Sequence, residues 1–105
     1  MAAIILADVA LNAFKGACSG FWDNLDPDAS RLLKEGFADY CFYELELMRS
    51  AFISGEDVEK AERNRDIALA SLSSVLEAVE SSIDPAHIIK EAFKGVLKSL
   101  PLSFL

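Results

Sequence analysis

The residues of this chain whose types could do chemistry are its carboxylates, one histidine and two cysteines, and their spacing decides what each could do. Glu59 and Glu62, and again Glu77 and Glu80, stand three apart, which places each pair on one helical face where two carboxylates could share a divalent cation. Glu44 and Glu46 stand two apart and so point to different faces. A di-iron bundle takes a Glu-x-x-His pair from each of two helices; His87 is the sole histidine and has Asp84, not Glu, three residues before it. Cys18 and Cys41 form no Cys-x-x-Cys or Cys/His cluster, so neither a zinc site nor a disulfide framework is suggested. No serine or cysteine has a base partner in sequence, and no glycine-rich phosphate loop is present. The expectation is a chain with no catalytic group, no metal and no cofactor.

The glutamate pairs of 59/62 and 77/80 resemble those of the all-α nucleoside-triphosphate pyrophosphohydrolases. That family has similar size and acidity and binds Mg²⁺ through Glu-x-x-Glu and Glu-x-x-Asp pairs on adjoining helices. The resemblance covers a spacing on one helix, whereas Glu44 and Glu46 on the preceding helix stand two apart and do not form such a pair. It implies a carboxylate-metal enzyme as the alternative to a non-enzymatic protein.

The elements that position these residues follow from hydrophobic period. Apolar residues at 4, 7, 11, 14, 18, 21 and 25 alternate steps of three and four, which predicts a first helix from about Ala2 to Trp22. Asp26-Pro27 starts a second helix that runs to about Ile53. Its inward face reads Ala29, Leu33, Phe37, Tyr40, Glu44, Leu47 and Ala51, widened by Leu32, Gly36, Cys41, Met48 and Phe52. Ser54-Gly55 breaks the pattern and caps a third helix, which carries Val58, Ala61, Arg65, Ala68, Leu72, Val75 and Val79 inward and ends near Ser82. Asp84-Pro85 opens a fourth helix with Ile88, Ile89, Ala92, Phe93, Val96 and Leu97 on one side, and Pro101 stops it. No stretch alternates with period two over the length of a strand.

The expected fold is therefore all-α: an antiparallel, up-and-down bundle of three long helices and a shorter C-terminal one, forming a single domain over residues 1–105. The chain is 52% hydrophobic and 26% charged, a composition that can supply one core. A tight turn at Ser54-Gly55 makes residues of the second and third helices face each other where their numbers sum to about 109, so Phe37 meets Leu72 and Leu33 meets Leu76. In that register Glu44 faces Arg65, the only charged residues on the two inward stripes, and an ion pair is expected. Against the first helix, Phe14 falls near Phe37 and Cys18 opposite Leu32. The cysteines then lie too far apart for a disulfide and are expected to be buried thiols. The short fourth helix is expected to cover the second half of the third, from about Leu69 onward.

Charge narrows the partners. The net charge is −7, with +3 and −8 over residues 54–84 and +3 and −1 over residues 85–105. Without a basic stripe, direct nucleic-acid binding is not expected. No apolar run approaches the length of a membrane span, and the first eight residues meet Asp8 without a basic leader; a cytoplasmic protein is expected, with no membrane role. The charged tip around the second turn, with Glu46, Glu56, Asp57, Glu59 and Glu62, is a candidate partner surface. The first helix has an apolar arc too wide for one neighbour, so Ile5, Leu6 and Val9 are candidates for self-association, a two-fold dimer being the simplest form. Gly16 and Gly20 would leave a flat strip for close helix approach. These features favour a non-enzymatic protein–protein interaction module: a small homo-oligomeric assembly or scaffolding factor, or an inhibitor-type protein, as phages and mobile elements encode.

Overall fold

Both Asp-Pro pairs start helices through their side chains. The Asp26 carboxylate accepts from Ala29 N at 2.8 Å and the Asp84 carboxylate from Ala86 N at 3.1 Å, satisfying backbone donors that the first helical turn leaves without partners. The computed structural model describes the backbone of residues 2–53 and 58–99, and the side chains of 8–49 and 58–99. Within them lie α1 (Ala2–Ala17), a 3₁₀ turn at Trp22–Asn24, α2 (Pro27–Ile53), α3 (Val58–Val79) and α4 (Pro85–Ser99). The described residues contain no strand, and the protein is an all-α helical bundle. At a rise of about 1.5 Å per residue, the 27 residues of α2 account for most of the 43 Å long dimension.

The core is built on Phe14, Phe37, Leu33, Leu72, Leu76, Ile89 and Val96, all under 3% exposed. A chain of ring contacts crosses it: Trp22 sits edge-on to Phe14 at 5.8 Å, Phe14 stacks on Phe37 at 4.7 Å, and Tyr40 meets Phe93 at 5.7 Å. The rings thereby tie the 3₁₀ turn, α1, α2 and α4 together, each pair contributing about 0.5–1.5 kcal/mol beyond its buried area. Between α2 and α3, Glu44 bonds Arg65 and Gly36 lies against Leu72. Residue numbers thus rise along α2 as they fall along α3, with sums of 109 and 108.

Several boundaries and contacts differ from the sequence reading. The first helix ends at Ala17 instead of Trp22. Trp22 N and Phe21 N both donate to the Cys18 carbonyl, at 2.9 and 3.0 Å, so the chain turns after Cys18, where Ser19 and Gly20 favour the helix poorly, and Trp22 comes back onto Phe14. Gly16 and Gly20 have nothing within 4 Å of the position a Cβ would take, so no helix among the described residues uses them as a strip. The third helix stops at Val79, where the Glu80 carboxylate accepts from Ser82 N at 3.4 Å as well as from the Ser82 hydroxyl at 2.8 Å, and the bond to the backbone competes with the helix. Leu32 is 52% exposed while Leu45 is buried; Leu33, not Leu32, shares the core with Cys18.

The fourth helix packs mainly on α1 and only slightly on α3. The reason is a pair of small residues: a Cβ at Gly95 would lie 3.2 Å from the Ala13 Cβ. Lacking one, the two backbones approach closely.

Candidate functional site

The α2–α3 seam carries the one ion pair that joins two helices among the described residues. Arg65 Nη1 donates to both Glu44 carboxylate oxygens at 3.2 and 3.1 Å, and Arg65 Nε donates to Asp66 at 2.7 Å. Burial opposes the charge on Arg65, but the hydrogen bonds and charges of Glu44 and Asp66 outweigh it and raise its pKa. Tyr40 lies one turn before Glu44; burial, then the charge and hydrogen bonding of that carboxylate, push its hydroxyl well above the usual tyrosine value. This group holds two helices in register. It joins a cation and a carboxylate through two hydrogen bonds, with a buried phenol one turn away.

On the outer side of the same seam an open groove of about 230 Å³ is lined by Gly36, Asp39 and Tyr43 of α2 and by Asn64, Ile67, Ala68 and Ser71 of α3. The lining residues recur every three or four positions on each helix, so each set shares a face. Gly36, Ala68 and Ser71 are small and leave the space; Tyr43 and Ile67 bound it. Ile67 is 65% exposed. Along α2 beside the groove, Asp28, Leu32, Glu35, Asp39, Phe42 and Glu46 follow at alternating steps of four and three, and all six are exposed. Phe42 is 54% exposed and edge-on to Tyr43 at 5.6 Å. Two large apolar side chains thus stand in water between four carboxylates, and Ile67 is exposed on the neighbouring helix.

The sequence-derived sites are distributed as follows. Glu44 and Arg65 are brought together. Glu46 lies on the exposed stripe of α2; Glu59 and Glu62 are exposed on α3, but Glu62 is two positions before Asn64 and so faces away from the groove. Glu56 and Asp57, with the Ser54-Gly55 turn, lie outside the described residues, as do the tail from Leu100 to Leu105 and the side chains of Ile5 and Leu6. Val9 is half-buried against the core. No three His, Cys, Asp or Glu residues converge as a metal site needs, among the described residues. Cys18 and Cys41 are free and fully buried. Burial pushes the Cys18 thiol up to about 12 and raises Cys41, where the Glu44 charge adds to the effect.

The sequence hides the groove and the stripe beside it, because hydrophobic period alone places Leu32 inward and gives Phe42 no face. The signal was present in the three-four spacing of residues 28 to 46. These features define a helical bundle with an open groove and exposed apolar side chains along its α2–α3 face. No protein-family model, curated protein or solved structure matches the chain. No helix among the described residues is long and apolar enough to cross a membrane.

Proposed function

We propose that this protein is a non-enzymatic interaction module, of the inhibitor or small assembly-factor kind, that binds a protein partner along the α2–α3 face. The observation that carries this reading is the set of exposed Leu32, Phe42 and Ile67 in or beside one groove, three of the four large apolar residues that the described part of the chain leaves exposed, Met48 being the fourth. Apolar side chains gathered in a patch and rimmed by polar groups mark interaction surfaces. The groove is smaller than the roughly 300–1,000 Å³ of pockets that enclose small molecules, and it is open, which suits a side chain presented by another protein.

A photo-cross-linking residue placed at Phe42 or Ile67, and at Lys98 as a control, tests this in cells of the source. Cross-links to one protein from positions 42 and 67, absent from position 98, are the expected result. An equal pattern from all three positions would remove the interface from this face. Purified protein is expected to show no Mg²⁺-stimulated hydrolysis of nucleoside triphosphates; turnover abolished by Glu62→Gln or Glu77→Gln would replace the reading with the enzymatic one.

A further inference from the structure

Resting on the interaction reading just given, the charge pattern of the stripe points to the chemistry of its occupant, and we infer that the partner is a basic amphipathic helix laid along α2. Large apolar residues of that helix cover Leu32 and Phe42, one of them enters the groove over Gly36, Ala68 and Ser71, and its lysines or arginines lie against Glu35 and Asp39.

Three observations lead there. First, Asp28, Leu32, Glu35, Asp39, Phe42 and Glu46 recur at the four-three spacing with which one helix meets another. The surface is a helical seam in which carboxylates take turns with apolar residues. Second, among the described residues no cation forms an ion pair with the carboxylates at its middle. Asp28 has Arg31 at 3.7 Å, but no described cation bonds Glu35 or Asp39, and α3 has no lysine or arginine between residues 66 and 79.

Third, a second copy does not fit. When the stripe is laid on itself about a two-fold axis, Leu32 meets Phe42, but Asp28 then meets Glu46 and Glu35 meets Asp39, so every charged contact is acid on acid. Like charges at a contact disfavour the pairing. The lysine row of α4, Lys90, Lys94 and Lys98, has the right sign, but the exposed residues of that helix are Ala86, His87, Lys90, Glu91, Lys94, Lys98 and Ser99. None is a large apolar side chain able to fill the groove. A separate helix carrying both lysines and large apolar residues meets both requirements.

The probe is a fluorescein-labelled, 18-residue helical peptide bearing leucine and lysine alternately on one three-four stripe and glutamine elsewhere. Companion peptides replace the lysines by glutamine or by glutamate. Binding is followed by anisotropy at low and at moderate salt. The lysine peptide is expected to bind at least tenfold more tightly than the glutamine peptide, with affinity falling as salt rises, and the glutamate peptide is expected not to bind.

Ser71→Arg fills the groove at an exposed position and adds one positive charge; it should weaken the lysine peptide at least tenfold. Glu77→Gln makes the same charge change away from the groove and should alter it less than twofold. Circular dichroism verifies that both variants retain the fold, and Ile67→Asp serves as a second groove variant. Equal losses in Ser71→Arg and Glu77→Gln would show attraction to net charge alone and overturn the proposal. Groove-dependent binding of the glutamine peptide at undiminished affinity would keep the interaction reading and reject the basic partner. A dimer in sedimentation equilibrium that Phe42→Glu dissolves would make a second copy the occupant. If no peptide binds and positions 42 and 67 give no cross-link, both readings fall.

Discussion

Replacing Glu44 by alanine is expected to destabilise the protein by about 1.5–3 kcal/mol, the range of hydrogen bonds to charged groups. The structure sets this magnitude from two sides. The Glu44 and Arg65 side chains are 16% and 24% exposed, too shielded for the about 0–1 kcal/mol of a surface pair. They are also too wet for the about 3–5 kcal/mol lost on breaking a fully buried one. Arg65 keeps Asp66 at 2.7 Å when Glu44 is gone, which holds the loss down. Arg65→Ala has no such relief, because it leaves the Glu44 carboxylate beside a buried phenol without its cation, and it is expected to cost more, toward the upper end of that range of about 1.5–3 kcal/mol. Urea unfolding of the two single variants and the double variant gives both costs and their coupling, with an unchanged m-value showing that the denatured state is not what moved. A loss below about 1 kcal/mol for Glu44→Ala, or a greater loss for it than for Arg65→Ala, would refute the reasoning.

Gly36→Ala is expected to raise stability by about 0.5–1 kcal/mol, since the added Cβ meets Leu72 Cδ1 at an ordinary 3.4 Å; thermal unfolding measures it. Gly95→Leu is expected to cost about 1–3 kcal/mol, because even a Cβ there stands 3.2 Å from Ala13, and unchanged melting would contradict the close α1–α4 approach. Asp26→Ala should lose about 1 kcal/mol through its cap, with Asp26→Asn losing much less in the same denaturant titration. The thiols of Cys18 and Cys41 should resist a disulfide reagent in the folded protein and react fully in denaturant. The folded pKa of Cys18 is raised from 9.0 to about 12, so its contribution is intact below pH 9 and is lost as pH climbs toward 12. The loss proceeds at up to about 1.4 kcal/mol per unit, and urea midpoints measured between pH 8 and 11 should fall.

The helices were legible because two independent signals coincided at each start. Asp26-Pro27 and Asp84-Pro85 combine a capping carboxylate with a preset backbone angle, and the apolar period begins directly after each. The Glu44–Arg65 bond was legible for a related reason: one charge on each of two inward stripes, at positions whose numbers sum to 109, leaves little freedom. The end of α1 was not legible, since the apolar period continues through Phe21 while the backbone turns after Cys18. Period reports which side chains would face inward if the helix went on, and it does not report where the backbone stops. Nor did period foretell that α4 lies along α1, which depends on Gly95 and Ala13 having almost no side chain to hold the helices apart.

The same blindness hid the exposed face of α2. Leu32 and Leu33 are adjacent and alike, and a reading that assigns apolar residues to the core will place both there. A helix has only one inward stripe per neighbour, however, and Leu33, Phe37, Tyr40 and Cys41 already fill it. Leu32 and Phe42 belong instead to the spacing shared by Asp28, Glu35, Asp39 and Glu46, residues that cannot be taken inward without counter-charges. Seen in that company the two apolar residues are bound to the solvent side, because burying them within this chain would bury four carboxylates with them. A surface of this kind gains from a partner that brings both cations and apolar area, and it gains little from one that brings either alone.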